Sequence, residues 1–283
     1  MIPVGKIKKD LEYSGNLKEV IDILKLTSSS EFSRISAMAP QEDVLEKYII
    51  DSLGMLKDSG VGNPFFTENT NLPRCYILIC SDEGFLGEMN NRVINAAVSH
   101  SAGKNKKVIV LGERGAELLK EDGVTAEVFP AVSSEVKTAD VMNLTNHIFA
   151  AHRKGEIGSV YVVYMHFNSF TSHKTEAVKL LPCDKILKHI GSRQEGEDTI
   201  IEPNVEEVMG YLVKMWIENN IYNACWSSKL AEWATRIMRL ESSSDELDDM
   251  TKALRFKYFK SVHELSDKVI REIFATKTIG WEE

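Results

Sequence analysis

The stretch that decides the fold begins Asn204-Val205-Glu206-Glu207-Val208-Met209-Gly210-Tyr211-Leu212-Val213-Lys214-Met215 and runs on to Glu283. Between Val205 and Ile273 it holds one glycine, Gly210, and no proline. Apolar residues recur at three- and four-residue steps. Val205, Val208, Leu212 and Met215 open the pattern, and Leu240, Leu247, Met250, Leu254, Tyr258, Leu265, Val269 and Ile273 carry it on. That is helical periodicity, not strand alternation. A globular helix ordinarily has about 8–20 residues, so so long a pattern points to a coiled coil, a membrane span or a helical repeat. At about 1.5 Å per residue it predicts a rod on the order of 100 Å long.

No segment approaches about 18 uncharged apolar residues, which sets the membrane span aside. The first residues, Met1–Glu12, are charged with no apolar run behind them, so no signal peptide is expected there. A formal charge of −8 argues against non-specific nucleic-acid binding. Cys75, Cys80, Cys183 and Cys225 are too sparse and irregular for a zinc site or a disulfide framework, and read as reduced, buried thiols.

A second helical stripe lies at the other end: Ile7, Leu11, Leu17, Val20, Ile21, Leu24, Phe32, Ile35, Met38, Val44, Leu45, Tyr48, Ile49 and Leu53. One helix over 6–56, kinked at Pro40, is the expectation; two helices with Pro40-Gln41-Glu42-Asp43 as a first turn are the alternative. Thr27-Ser28-Ser29-Ser30 reads either as a linker or as a place where a helix is approached closely. Glycines and prolines mark 54–73 as a loop.

Between the stripes the texture changes. Strands are expected over 74–80, 107–111, 126–129 and 159–167, with helices over 85–101, 113–121 and 133–153 between them. The alternation predicts an open, mostly parallel α/β (Rossmann-like) sheet with crossover helices, 174–181 adding an antiparallel edge strand. Three parts follow: an N-terminal helix over 1–58, an α/β domain over 74–182 and a C-terminal helix over 204–283. Neither terminal stripe can be buried alone, so the two helices are expected to pair as a long antiparallel coiled coil.

The sharpest local motif is Ser81-Asp82-Glu83-Gly84-Phe85-Leu86-Gly87-Glu88-Met89-Asn90-Asn91, just past the first strand. A Gly-containing strand-to-helix turn is where α/β folds bind anions. Here Asp82, Glu83 and Glu88 would repel a phosphate, so a turn capped by Ser81 or Asp82 is the better account. Gly112-Glu113-Arg114-Gly115 reads as another turn and helix start, and no P-loop pattern occurs. The seven histidines form no metal-binding pair; no catalytic residue, metal or cofactor is assigned.

The chain resembles the gamma subunit of F-type ATP synthases over nearly its whole length. The family loop S-D-R-G-L-C-G-G-L-N matches Ser81 to Asn90 in frame, with Ser81, Asp82, Gly84, Gly87 and Asn90 retained. Ile7-Lys8-Lys9-Asp10-Leu11 and Leu24-Lys25-Leu26-Thr27-Ser28-Ser29-Ser30-Glu31 stand at the separation of the family's first-helix motifs. Thr235-Arg236-Ile237-Met238-Arg239-Leu240 through Asp245, and Phe256-Lys257-Tyr258-Phe259-Lys260-Ser261 through Ile273, follow its last helix. The resemblance implies a non-catalytic, peripheral-membrane rotor subunit on the cytoplasmic face. Its partners would be the alpha and beta subunits of a hexamer, an epsilon subunit and the c-ring.

It further implies hexamer contacts at Lys25, Leu26, Arg236, Val262, His263 and Asp267. Several positions depart from the family. Val262-His263 stands for Arg-Gln, Asp267 for Thr, Glu31 for Lys, and Glu83 for the basic residue of the loop. Residues 1–58 carry 8 Lys/Arg against 10 Asp/Glu, and residues 239–283 again 8 against 10, where the family's shaft is basic. Two other readings stay open: an α/β protein binding a nucleotide or small molecule at 82–91 or 112–115 and dimerising through its helices, and an adaptor paralogue in another ATPase machine.

Overall fold

The computed structural model describes residues 4–39, 44–56, 65–101, 105–183 and 201–279. Helix α1 spans Val4–Met38 and α2 spans Val44–Leu56. The expected single kinked helix is therefore two. Ala39 already leaves the helix as a bend, because a residue that precedes proline is pushed out of the α region by the ring. Residues 40–43 lie outside the described residues.

The sheet elements are β1 (Arg74–Ile79), β2 (Lys106–Leu111), β3 (Glu127–Phe129), β4 (Ser159–Ser169) and β5 (Ser172–Leu181). Between them come α3 (Met89–His100), α4 (Glu113–Glu121) and α5 (Thr138–Arg153), and α6 (Val205–Ile279) closes the chain. The strand order is β3-β2-β1-β4-β5. Pairs β1–β2, β1–β4 and β2–β3 are parallel, and β4–β5 is an antiparallel hairpin at the edge. The open α/β layer is thus as the alternation predicted. Helix α3 starts at Met89, four residues after the expected Phe85, because the turn takes up the intervening residues.

The sheet is buried on both faces, which is why β1 and β4 read as unbroken apolar runs. Cys75, Ile77 and Ile79 of β1 share one cluster with Val160 and Val162 of β4. Leu144 and Ile148 of α5, Leu53 of α2, Ile35 of α1 and Val213, Ile217 and Ile221 of α6 cover that face. On the other face Tyr76, Leu78, Val110 and Val163 pack with Val93 and Ile94 of α3 and Leu119 of α4. All of this lies in one compact unit, Glu31–Arg236; Met1–Ser30 with Ile237–Glu283 form a second.

In that second unit α1 and α6 are paired. Ile7, Ser14, Ile21 and Ser28, at intervals of seven, are the buried residues of α1 there. On α6 the inward positions are Leu240, Ser244, Leu247, Thr251, Leu254, Tyr258 and Ser261, alternating steps of four and three. A mean step of 3.5 residues is the heptad seam of a left-handed coiled coil. The sense is antiparallel: Ser14 hydrogen-bonds Thr251, Lys18 pairs with Asp248 and Lys25 with Glu241. Partner numbers add to 265 or 266 in each case. The Thr27–Ser30 run is part of this helix. Ser28, buried, donates its hydroxyl to the Leu24 carbonyl.

Candidate functional site

Two places carry the residues singled out from the sequence: the turn after β1, in the sheet-bearing unit, and the seam of the paired helices.

The turn is tied down by its own side chains. The Ser81 N–H donates to Asn90 Oδ1 at 3.0 Å, and Asn90 Nδ2 donates back to the Ser81 carbonyl at 2.8 Å. Ser81 Oγ accepts the Glu83 N–H at 3.1 Å. Asp82 does not cap α3; it caps α4, accepting the Arg114 N–H at 2.9 Å. Helix α3 itself has Glu88 at its N-cap and no side-chain cap bond. The capping donor was expected on the next helix in sequence, but the parallel crossover brings the start of α4 beside the same turn. Arg114 returns the contact, its guanidinium donating to the Glu83 carbonyl at 2.7 Å.

Glycine is needed at two places in this region for different reasons. Gly87 has φ +58°, a left-handed conformation that side chains disfavour. Gly115 lets α4 lie against the strands: a Cβ there would come within 2.7 Å of Cys80 Cβ and 2.8 Å of Val110 Cγ2. Gly84 has open space around it. Phe85 takes φ +62° without being glycine, and its ring is exposed.

Beside the turn lies a cavity of about 300 Å³, lined by Glu83, Phe85, Asn90, Arg114, Glu117 and Glu121 among others. Its carboxylates oppose an anion. The backbone donors that a phosphate would use are engaged as well: Ser81, Glu83 and Arg114 N–H by side chains, and Gly112 N–H by the Phe129 carbonyl. The geometry gives the nucleotide-binding reading no foothold here.

Against this turn lies a group of α6 residues that periodicity alone could not single out. Lys229 Nζ bonds both carboxylate oxygens of Glu232, at 2.8 and 3.0 Å, with side chains only 6% and 4% exposed. Burial pushes the Glu232 carboxyl above its usual range, against the pull of Lys229 and a hydrogen bond from Ser81. Arg236 pairs with Glu83 at 2.9 Å and lies 5.2 Å from the centre of the Trp233 ring. The departure at position 83 thus has a structural partner: the acidic residue meets the arginine that the chain retains. A Lys-x-x-Glu-x-x-x-Arg spacing on one helix face was the available signal.

In the helix pair, Lys25 faces Glu241 across the seam, and that contact, ahead of the opposing cost of burial, raises its pKa. Leu26 points outward, 74% exposed. Val262 is half-buried, and His263 and Asp267 are exposed. The structure therefore occupies Lys25 and Arg236 with internal partners and leaves Leu26, His263 and Asp267 on the surface. Cys75, Cys80 and Cys225 are buried, with thiols pushed up to about 12 by that burial. Among the described residues no helix is long and apolar enough to cross a membrane.

An α/β layer together with an antiparallel heptad pair of the terminal helices defines the fold of this chain. A family model described as ATP synthase matches residues 4–264. The ATP synthase gamma chain of Alkaliphilus metalliredigens is 25% identical over 276 residues, covering 94% of this chain and 95% of that one. That of Clostridium botulinum (strain Eklund 17B / Type B) is 26% identical over 228 residues, covering 80% and 78%. Among solved structures, a chain of the rotor of Euglena gracilis mitochondrial ATP synthase superposes with a TM-score of 0.69 at 13% identity, covering 93% of this chain and 98% of that one. A chain of the Tetrahymena thermophila mitochondrial central stalk and c-ring gives 0.55 at 16% identity, with 80% and 99% coverage. The chain belongs to the ATP synthase gamma chain family, the non-catalytic central-stalk subunits of F-type ATP synthases.

Proposed function

We propose that this chain is the torque-carrying shaft between a membrane-embedded c-ring and an alpha–beta hexamer, with an epsilon subunit on its sheet-bearing unit. In this reading it sits on the cytoplasmic face as a peripheral member of a membrane-bound complex. The observation that carries it is the antiparallel seam. A shaft must resist twisting, and two helices locked by Ser14–Thr251, Lys18–Asp248 and Lys25–Glu241 do so where one helix alone would not. The outward face of the pair supports a close-fitting sleeve: Leu26, Ile23, Phe256 and Phe259 are exposed apolar side chains. Large apolar side chains left exposed along the pair support an interaction surface. Leu26, Val262, His263 and Asp267 belong to the hexamer-facing set in this proposal.

The test is co-purification followed by coupling. A tagged chain expressed in its own cell should bring down alpha, beta and epsilon subunits, and the reconstituted complex should pump ions when given ATP. Inserting a proline beside Leu254 costs about 3 kcal/mol or more locally and should abolish pumping. Reproducible recovery of none of those subunits, or pumping that survives the proline, overturns the reading.

A further inference from the structure

Lys229, Glu232 and Arg236 lie on one face of α6, and Arg236 crosses from that face to the turn after β1. Lys229 and Glu232 hold each other in the interior, and Arg236 reaches Glu83 at 2.9 Å. One step earlier on the helix, Ser227 Oγ accepts the Phe167 N–H of β4 at 2.9 Å. The apolar packing of α6 on the sheet is non-directional, and by itself does not choose one rotation of the helix about its axis. Hydrogen bonds and paired charges are directional and do choose.

The turn that receives these groups is itself braced. Asn90 holds it to α3, and Asp82 and Arg114 hold it to α4. A load placed on Ser81 or Glu83 is therefore shared by β1 and both helices of that face.

We propose that Arg236, through Glu83, is a positioning residue that keys helix α6 to the Ser81–Asn90 turn at a fixed azimuth. The turn is then the point where twist carried by the helix enters the sheet. This rests on the shaft reading above and assigns the turn a mechanical task through Glu83, a position where the chain departs from the family.

The test uses the assembled complex in sealed vesicles, with this chain carrying Glu83→Arg, Arg236→Glu or both. ATP hydrolysis and ATP-driven ion pumping are measured on the same preparation, and the isolated chain is melted in parallel. Each single change is expected to lower ions pumped per ATP several-fold while hydrolysis continues, and the double swap to restore most of the coupling. Restoration by exchange of charge is a result that general destabilisation does not give. Singles that pump like the unaltered complex overturn the proposal, as does a swap that melts normally yet pumps no better than the singles. Should Arg236→Glu fail to assemble, Glu83→Gln, at a half-exposed site, decides in its place, and unchanged coupling overturns the keying. Failure of the unaltered complex to pump would instead count against the shaft reading itself.

Discussion

The buried Lys229–Glu232 pair gives the most direct energetic prediction. With side chains 6% and 4% exposed, removing either partner leaves a charge in the interior without its counter-ion. Such a loss costs about 3–5 kcal/mol, whereas replacing both partners by apolar residues of similar volume is neutral or stabilising by about 1–4 kcal/mol. Lys229→Met and Glu232→Leu should each destabilise by about 3 kcal/mol or more, and the double variant should recover unaltered stability or exceed it. Urea unfolding of the isolated chain, followed by the fluorescence of Trp226 and Trp233, measures all four corners of the cycle. The pH dependence has a definite sign. The folded Glu232 carboxyl sits above its unfolded value, so the folded state binds that proton more tightly. Its contribution is fully present below the unfolded pKa and is lost as pH rises through the folded one. Without Lys229 that folded value moves further up, so the cost of Lys229→Met should shrink on acidification. A Lys229→Met variant that loses less than about 1 kcal/mol, or a double variant that loses the sum of the singles, would refute the burial argument.

Two further predictions concern packing. Gly115→Ala would stabilise an exposed helix by about 1 kcal/mol. Here the new Cβ meets Cys80 Cβ at 2.7 Å and Cys80 Sγ and Val110 Cγ2 at 2.8 Å, so an overpacking cost of about 1–3 kcal/mol should prevail and the melting temperature should fall. In the seam, Leu240 is fully buried with Ile21, Leu247 and Leu24. Leu240→Ala should cost about 2–3 kcal/mol, at the low end for a core leucine because the cluster is small. Amide exchange of the helix pair is the measurement, and protection within about 1 kcal/mol of the unaltered chain would show that the seam is not packed as described.

The sheet was legible because β1, β2 and much of β4 are buried on both faces and its helices end in glycine-containing turns, signals carried by neighbouring residues. Glu113–Glu121 has its expected bounds for that reason. The seam was legible as helices but not in its membership. Met250, Leu265, Val269 and Ile273 belong to the apolar stripe in sequence and are 48–62% exposed in the structure. Ser14, Ser28 and Ser244 are buried although hydropathy passes over them. Small polar residues fit where two helices approach closely, and no apolar scale rewards them. The exposed end has a simple cause: with partner numbers adding to 265 or 266, Val4 at the start of α1 stands opposite residues 261–262. Among the described residues, α1 has nothing left to cover Leu265 and beyond. Lys229 and Glu232 were hidden for a different reason, since a charged pair on a polar-looking helix face is read as solvated until tertiary structure buries it.

The same geometry bears on what the departures from the family mean. Lys25 and Arg236, the basic residues retained at family positions, are engaged by Glu241 and Glu83 within the chain. Lys18 is likewise engaged by Asp248. Each acidic partner neutralises a cation that would otherwise face outward. The two pairs across the seam take their cations from α1 and their anions from α6, so they leave the summed acidic excess of the two ends unchanged. What remains outward on the paired helices is apolar at Ile23, Leu26, Phe256 and Phe259. In the proposed shaft, grip on the surrounding sleeve then rests on shape and apolar contact at those positions more than on long-range charge. On the inference above, Glu83 acts by fixing helix α6 through Arg236.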